Sequence, residues 1–360
     1  MNSTSFSLSP ENDEARSRLA RGYYWDPDSD DETSSAQKDH YVPEPYVDIS
    51  PISGAGATIS TVNDYSLWIK TLLDAANNKT SSKSPITKNI INDIFSPRTI
   101  LPLAVLGVQD TAAVVMPPLY ALGWLNLNFL GEPLVGHDGG LTGFGANVYM
   151  LPEKSFGIVT MGNTARSSNI AGALICTLLL LRKIGIDSKN LGALAEAHEI
   201  LRAISRRDLS SNRNKFSERA AFPLFSAASL PLPGELSDFA GVYTHPAYGA
   251  INFTVIATEG RYVLEAFLYP RTWPQRLQLS HTTDTVFALK MLSPHGLGDI
   301  HSDDIVWEDE GGGLQAYFQF GLDGKVVETM GIELEPEMVE MARNLGVKYW
   351  KEGMVWFEKL

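Results

Sequence analysis

The sequence predicts an α+β protein, in which an antiparallel sheet flanked by helices is followed by a small all-β barrel domain. Two observations carry this prediction. Residues 61–181 mix apolar residues at helical spacing with short alternating segments, and the chain from residue 235 changes to evenly spaced short strands separated by Gly, Asp and Pro. At 360 residues the chain is long enough for about two domains. We expect these domains at residues 1–207 and 233–360, joined by a Ser- and Pro-rich linker at 208–232.

The first domain begins with a polar segment and continues with two predicted helices. Residues 1–50 contain an acidic low-complexity tract, which we interpret as a solvated loop. In residues 61–74 the apolar side chains recur at helical spacing, and Ser60 or Thr61 is placed to cap the helix. A second, shorter helix is predicted over residues 87–95.

Strand-like segments follow, first in this domain and then in the second one. In the first domain they cover residues 120–129, 133–137, 145–151 and 156–161. A Pro-Glu turn between the last two predicts a hairpin, and helices are predicted after it at residues 168–181 and 191–205. In the second domain the predicted strands include residues 241–244, 250–256, 261–267, 284–289 and 314–320.

Composition excludes several classes of partner. The net charge of -13 argues against nucleic acid or an anionic membrane surface, because both require a basic footprint. Residues 1–20 are polar and lack the apolar region of a secretory signal. The longest apolar run, residues 170–181, is about half the length that a bilayer requires. We therefore expect no membrane span, and localisation stays open, with the cytoplasm as the default.

Three other groups of residues have structural interpretations. Cys176 is the only cysteine and lies in an apolar run, which predicts a buried structural thiol. A polar loop is favoured over a metal site for one cluster of the second domain, because its spacing fits no compact ligand pattern: His281, His295, His301, Asp303 and Asp304. We expect barrel core, rather than a ligand cavity, from six aromatic residues: Tyr243, Tyr248, Phe253, Tyr262, Phe267 and Trp273.

Two neighbouring motifs carry the chemistry: Tyr120-Ala-Leu-Gly-Trp124 and Gly136-His-Asp-Gly-Gly-Leu-Thr-Gly-Phe144. Here the chain resembles the class C β-lactamases and the related penicillin-binding-protein-like serine hydrolases, whose third motif is a strand with the pattern H-x-G or K-T-G. The resemblance extends to segments on both sides, in the family's order: Leu19-Ala-Arg-Gly-Tyr23, Gly54-Ala-Gly-Ala-Thr-Ile-Ser-Thr-Val-Asn-Asp-Tyr65, Leu151-Pro-Glu153 and Val159-Thr-Met-Gly-Asn163.

The resemblance implies a partial β-lactamase/transpeptidase-like domain, followed by an accessory barrel similar to the lipocalin-like domains that often accompany it. It also implies acyl transfer from an ester, amide or peptide through a serine acyl-enzyme, with no cofactor. Substrate classes within the family include D-amino-acid peptides, small esters, β-lactams and thioester-linked acyl groups. Fold resemblance alone does not choose among them.

The same resemblance implies roles for individual residues. Acyl transfer develops negative charge on the carbonyl oxygen, which requires preorganised N–H donors, and the family pattern assigns one donor to the backbone of Gly140. His137 stands where other members carry lysine and would polarise the pocket. Gly139 would leave room for substrate beside the strand. The alternative from residue types alone is a flexible turn over residues 136–145 with a solvent-exposed histidine.

Four further positions complete the substrate-binding prediction. Leu141, Thr142 and Gly143 would shape the rim of the pocket together with Phe144. Asp138 stands where the family more often has a hydroxyl or small residue, so the resemblance supplies no role for its carboxylate beyond contact with substrate.

The family's nucleophile and base occupy an S-x-x-K motif, and a Y-x-N tyrosine assists proton transfer. The only S-x-x-K is Ser35-Ala-Gln-Lys38, inside the acidic tract, and no Y-x-N occurs. Met1-Asn-Ser-Thr-Ser-Phe6 resembles an internal family segment that follows both motifs. We therefore expect an N-terminally truncated member that is inactive alone. We also expect residues 156–161 to form an unpaired sheet edge that promotes self-association.

Two alternatives to a truncated enzyme remain. In the first, the chain is a catalytically dead homologue that acts as a binding or regulatory module. In the second, a separate N-terminal polypeptide completes its sheet.

Overall fold

The fold is described from a computed structural model, which covers the following residues: 1–7, 18–26, 41–81, 84–101, 118–165, 167–187, 189–190, 192, 194–195, 230–258, 260–310, 314–322, 324–334, 338–339 and 354–360. The chain divides into two compact units. The first comprises Met1–Asp208 with His295–Asp299, and the second comprises Leu209–Pro294 with Ile300–Leu360. The predicted helix at 191–205 and the predicted linker at 208–232 lie largely outside the described residues.

The first unit contains ten strands and four helices among its described residues. The strands are β1 (Ser5–Phe6), β2 (Tyr23–Trp25), β3 (Tyr41–Pro43), β4 (Thr58–Ile59), β5 (Thr99–Ile100), β6 (Leu119–Tyr120), β7 (Leu125–Phe129), β8 (Glu132–Leu141), β9 (Phe144–Leu151) and β10 (Phe156–Gly162). The helices are α1 (Ser53–Gly56), α2 (Val62–Ala76), α3 (Lys88–Phe95) and α4 (Ser167–Lys183). Short 3₁₀ turns cover Ser50–Ile52 and Pro152–Lys154.

A six-stranded antiparallel sheet forms the centre of the first unit, in the order β10-β9-β8-β7-β6-β5. Residues alternate between its two faces, as the pleat requires. On β9, Tyr149 and Leu151 pack against α4, whereas Val148 and Met150 pack against α2 and α3. The sheet is therefore covered by helices on both faces, which confirms the predicted α+β arrangement.

Helix α2 shows how the sequence determines one of these layers. The Thr61 side chain caps it by accepting from the backbone N–H of Asp64 at 3.2 Å. The Asp64 carboxylate in turn accepts from the backbone N–H of Ser3 at 2.7 Å and from the Thr4 hydroxyl at 2.9 Å. The predicted helix and its Thr61 cap are confirmed, and the Asp64 carboxylate joins the helix to the first residues of the chain.

The strands that precede and form the H-x-G motif differ from the prediction. The predicted strand at 120–129 is interrupted, because Ala121 donates its N–H to the carbonyl of Trp124 at 2.8 Å and Gly123 adopts a φ of 77°. The predicted strand at 133–137 instead extends to Leu141, since β9 pairs with it along that whole length. The alternative of a flexible turn over residues 136–145 is therefore wrong.

The last hairpin and helix of the unit agree with the sequence. β9 and β10 pair antiparallel, and α4 follows over Ser167–Lys183. Among the described strands, β10 has a partner on one side only. Cys176 is fully buried on α4, as predicted, and its burial raises the pKa of the thiol to about 12, so the thiolate is negligible at neutral pH. In the described part of the chain, no helix is long and apolar enough to cross a bilayer.

The second unit is a closed antiparallel barrel. Its strands are β11 (Gly241–His245), β12 (Gly249–Thr258), β13 (Arg261–Leu268), β14 (Gln275–Thr283), β15 (Val286–His295), β16 (Val306–Asp309), β17 (Leu314–Phe320), β18 (Val327–Ile332) and β19 (Val355–Lys359), after a 3₁₀ turn at Leu236–Phe239. Eight of them form a ring in the order β14-β13-β12-β11-β19-β18-β17-β15, which a β14–β15 pairing closes, and β16 pairs with β15 outside the ring.

The barrel interior is filled by aromatic side chains. Six of them are fully or almost fully buried: Phe239, Tyr243, Phe253, Phe287, Phe318 and Phe357. The predicted core role of Tyr243 and Phe253 is confirmed. The same prediction is wrong for Tyr262 and Trp273, which are 70% and 45% exposed. Strand alternation directs Tyr262 of β13 away from the core, whereas Trp273 lies in the connection between β13 and β14.

Candidate active site

The H-x-G strand β8 lies in the middle of the sheet, and its pairing directs alternate backbone groups to opposite sides. The β8–β9 hairpin closes on the pair Leu141–Phe144 around a two-residue turn at Thr142 and Gly143. A closing pair of this kind is hydrogen-bonded, and in an antiparallel ladder bonded and non-bonded pairs alternate. The pair Gly140–Gly145 is therefore non-bonded, and the N–H of Gly140 points away from β9.

On the side away from β9, the pairing partner of β8 ends before the motif begins. β7 pairs with β8 only as far as Gly136, which lies opposite Leu125, the first residue of β7. The backbone of β8 beyond Gly136 therefore has no strand beside it on that side among the described residues. The Gly140 N–H faces this opening.

The glycines of the motif fall into two groups by the space around them. A Cβ on Gly136 would lie 2.4 Å from Cδ1 of Tyr149, and Cβ atoms on Gly143 and Gly145 would lie 2.7 Å and 2.2 Å from their nearest neighbours. By contrast, a Cβ on Gly140 would meet nothing within 4 Å, and one on Gly139 would meet only Cβ of Ala146 at 3.8 Å. Packing therefore accounts for three of these glycines and not for Gly139 and Gly140.

His137 is half-buried and held by two hydrogen bonds. Its Nδ1 lies 2.5 Å from the backbone carbonyl of Asp138. A carbonyl oxygen only accepts, so Nδ1 donates to it. Nε2 lies 3.1 Å from the Tyr120 hydroxyl and, in the Nδ1–H tautomer, accepts from it. The two rings also make an edge contact, with centroids 5.8 Å apart. Tyr120 of β6 reaches His137 of β8 across Leu125, the first residue of β7, which pairs with Tyr120 on one side and with Gly136 on the other.

The remaining predicted positions surround the hairpin tip. The Asp138 carboxylate lies 4.0 Å from Nδ1 of His137, on the strand position opposite Asn147. Leu141 lies next to Gly56, whose added Cβ would be 3.4 Å from Cδ1 of Leu141. Thr142 and Gly143 form the turn, and Gly143 adopts a φ of 76°. Leu141 and Thr142 are half-buried.

The motifs that carry the family resemblance converge at this hairpin. The turn at Gly143 packs directly on Gly22, where a Cβ would lie 2.9 Å from Cα of Gly143. Tyr23 donates its N–H to the carbonyl of Asn163 at 2.9 Å, and the Asn163 side-chain amide donates to the carbonyl of Arg21 at 2.8 Å. The segments at residues 19–23, 54–56, 136–144 and 159–163 are thus neighbours in space.

Three positioning residues escaped the sequence analysis. Asn169, in the first turn of α4, donates from Nδ2 to the carbonyls of Gly139 at 3.0 Å and Ala146 at 3.3 Å, and so fixes the H-x-G strand from one face. Buried Asn147 donates to Thr160 Oγ1 at 3.2 Å. Tyr120 belongs to one of the family motifs, but the sequence predicts no role for its side chain. A signal was available for Asn147, a polar residue that interrupts an otherwise apolar strand, but not for Asn169, which follows two serines.

Two other groups of residues were considered in the sequence. Ser35 and Lys38, the residues of the single S-x-x-K, lie outside the described residues. His281, His295, His301, Asp303 and Asp304 form no metal cluster: within the described ranges, no three His, Cys, Asp or Glu side chains are placed to hold an ion.

Sequence comparisons with known proteins identify one family and two curated relatives that this chain resembles. The family model described as Beta-lactamase matches residues 1–174. An unguisins hydrolase from Aspergillus violaceofuscus is 29% identical over 257 residues, which cover 68% of this chain and 41% of that protein. A second unguisins hydrolase, from Aspergillus campestris, is 27% identical over 322 residues, covering 89% of this chain and 53% of that protein. The chain thus spans about half the length of the curated relatives it matches.

The octameric penicillin-binding protein homologue from Pyrococcus abyssi aligns with a TM-score of 0.40 and 18% identity, over 92% of this chain and 55% of its own.

Proposed function

We propose that this chain, whose residues 1–174 match the Beta-lactamase family model, provides the oxyanion wall of an acyl-transfer site of the kind found in β-lactamase-related serine hydrolases. The reaction is hydrolysis or transfer of an acyl group from an ester, amide or peptide through a serine acyl-enzyme. It requires no cofactor, because a positioned hydroxyl and its base supply the nucleophile and proton transfer. One observation carries the proposal. The N–H of Gly140 faces an open side of β8, at a position where packing does not require glycine.

Gly140 acts in this proposal as one of two donors to the developing oxyanion. Donors of this kind are effective when they are fixed before the reaction, since no free energy is then spent on orienting them. β8 fulfils that condition, because β9 pairs with it through Gly140 and Asn169 holds the carbonyl of Gly139. Gly139 and Gly140 leave the acyl group room to approach the backbone.

His137 is a polar residue of the pocket wall, and its role in the proposal is to orient the hydrogen bonds around the nucleophile. The Asp138 carbonyl accepts a hydrogen bond from Nδ1, and Nε2, on the other side of the ring, faces Tyr120. A hydroxyl or ammonium group of the catalytic apparatus can then donate to the Tyr120 hydroxyl oxygen, whose proton is directed to Nε2. Asp138, Leu141, Thr142 and Gly143 contact the substrate at the hairpin tip.

The names of the curated relatives support a first choice of substrates. Both curated relatives are named as hydrolases of unguisins, which makes compounds of that class the first substrates to screen for this chain. Simple esters and amides are the second set, because they contain the same reacting carbonyl without the remote groups that determine specificity.

For the second unit we propose the role of an accessory domain of lipocalin-like type. Support comes from the eight-stranded antiparallel ring that follows the first unit in the chain. The aromatic filling of its core means that any ligand of this domain binds elsewhere than in the interior.

Residues 1–360 alone are expected to show no covalent labelling with a fluorophosphonate probe. The only S-x-x-K is at Ser35–Lys38 in an acidic tract, and a hydroxyl without a paired base reacts slowly. The measurement is intact mass after incubation, with class C β-lactamase as the positive control. Stoichiometric labelling of these 360 residues would contradict the expectation, and peptide mapping would then identify the nucleophile.

The same experiment separates the proposal from its alternative, a catalytically dead homologue that binds or regulates. Absence of the Y-x-N motif and of any other S-x-x-K from these residues favours that alternative. It predicts that a longer gene product containing the chain also stays unlabelled. The hydrolase proposal predicts labelling of one serine in a product that carries a complete S-x-x-K and Y-x-N.

A further inference from the structure

A cavity of about 340 Å³ lies on the second unit, away from the filled barrel core. Its walls include Phe267 of β13, Arg276 of β14, Trp307 of β16, and the turn that carries His301, Ser302 and Asp303. Phe267 and Arg276 are direct partners in the β13–β14 ladder. Their neighbours Ala266 and Leu277 point into the core, so strand alternation directs Phe267 and Arg276 outward.

The guanidinium group of Arg276 is held by a hydrogen bond through Nε, whereas its Nη groups can bind a ligand. Its Nε donates to Oε2 of Glu265 at 2.5 Å, and Gln278 donates to the same oxygen at 2.9 Å. The Glu265 side chain is only 9% exposed, so this ion pair is shielded from water. Among the described residues, the Nη groups of Arg276 have no hydrogen-bond partner. They are oriented donors at the wall of a cavity.

Aromatic rings fix the plane of the guanidinium and supply an apolar surface. The Cζ atom of Arg276 lies 5.4 Å from the ring centroid of Trp307 and 5.8 Å from that of Phe267. Phe267 also makes an edge contact with His301, with centroids 4.7 Å apart. The guanidinium therefore lies beside two aromatic rings, in a wall whose remaining surface is mostly polar.

A negative charge lies on the same cavity. Asp303 is exposed and lines the cavity, and its carboxylate accepts no hydrogen bond within the described part of the chain. The Arg276 charge is balanced by Glu265, which leaves Asp303 as the uncompensated charge of the wall. A ligand that matches this wall carries a carboxylate for the Arg276 fork, a cationic group for Asp303, and an apolar group for the rings.

We propose that this cavity binds a zwitterionic amino acid with an apolar side chain. The α-carboxylate pairs with the free edge of Arg276, the ammonium group pairs with Asp303, and the side chain packs on Phe267 and Trp307. The volume lies at the lower end of the range of about 300–1,000 Å³ for small-molecule sites, which suits an amino acid better than a larger ligand. The inference does not depend on the proposed hydrolase activity.

Calorimetric titration of the 360-residue chain tests the proposal with three matched probes. L-Phenylalanine carries both charges, 3-phenylpropionate lacks the ammonium group, and 2-phenylethylamine lacks the carboxylate. We expect saturable binding of L-phenylalanine, and binding of each analogue weaker by about tenfold or more, because each loses one charge-assisted contact.

Variants assign the two charges to their residues. Asp303→Asn is expected to weaken L-phenylalanine by about tenfold and to leave 3-phenylpropionate unchanged, while Asp304→Asn, next to it in the turn, serves as the control. The double variant Arg276→Gln with Glu265→Gln removes both charges of the ion pair, so no buried carboxylate is left unpaired. It is expected to weaken L-phenylalanine and to leave 2-phenylethylamine unchanged.

Three results would overturn the proposal. They are the absence of saturable binding of L-phenylalanine up to about 10 mM, equal affinity for the zwitterion and either analogue, and unchanged affinity in Asp303→Asn. The melting temperature of each variant is measured alongside, and Asp303→Asn, a change in an exposed turn, keeps the test valid if the double variant does not fold.

Discussion

Gly136→Ala is expected to lower the free energy of unfolding by about 3 kcal/mol or more, whereas Gly140→Ala, four residues along the same strand, leaves it nearly unchanged. The new Cβ at position 136 would lie 2.4 Å from Cδ1 of Tyr149 and 2.6 Å from the backbone carbonyl of Val148. Tyr149 is fully buried and the carbonyl belongs to the neighbouring strand, so neither atom can move away cheaply.

Gly139→Ala and Gly140→Ala are the matched controls. The space around both positions accepts a methyl group, and neither has a positive φ. Each substitution also reduces the entropy of the unfolded chain, so an effect between zero and a small gain of about 0.5 kcal/mol is expected. The measurement is the urea midpoint of the unfolding transition. Equal losses at positions 136 and 140 would mean that the division of the motif glycines into packing and site positions is incorrect.

The largest effect on function is expected from Gly140→Pro. Proline removes the N–H that we assign to the oxyanion, and loss of one such donor costs about 10²–10³ in kcat. The ladder with β9 tolerates the change, because the pair Gly140–Gly145 is non-bonded and its N–H points outward. Pro133 already occupies an equivalent non-bonded position opposite Asn128 on the same strand.

Gly140→Ala is again the control, since it keeps the N–H and adds only a methyl group. The rate of fluorophosphonate or ester acylation is measured for both variants in a gene product that carries this chain together with an S-x-x-K segment. A smaller loss is expected for His137→Ala, which removes a side chain without disturbing the backbone donor. If Gly140→Pro and Gly140→Ala acylate at the same rate, the second donor lies elsewhere.

Local patterns in the sequence predicted the elements that local interactions determine. Helix α2, its Thr61 cap, α3 and the β9–β10 hairpin follow from side-chain periodicity and turn residues, each within a short window. The sequence did not predict the extension of β8 through Gly139 and Gly140, because two glycines are poor strand formers and the partners that hold them extended, β9 and Asn169, lie elsewhere in the chain.

Features that depend on pairing between distant residues could not be predicted from local sequence patterns. The barrel closes through β14–β15 and through β11–β19, and the second of these joins residues more than 100 positions apart. The interaction between Tyr120 and His137, and the hold of Asn169 on Gly139, likewise join different elements. The resemblance identified the strand that carries the candidate site, but the residues that position it became visible only in the fold.

The most direct test of the account observes the Gly140 amide itself in residues 1–360. Selective ¹⁵N-glycine labelling gives one backbone signal for each of the 30 glycines, and the Gly140 signal is the one that Gly140→Ala removes. Titration with phenylphosphonate, a tetrahedral anion that resembles the oxyanion intermediate, is expected to shift this signal saturably downfield, because its N–H donates to the anion. If Gly140 stays unshifted, β8 does not form the oxyanion wall.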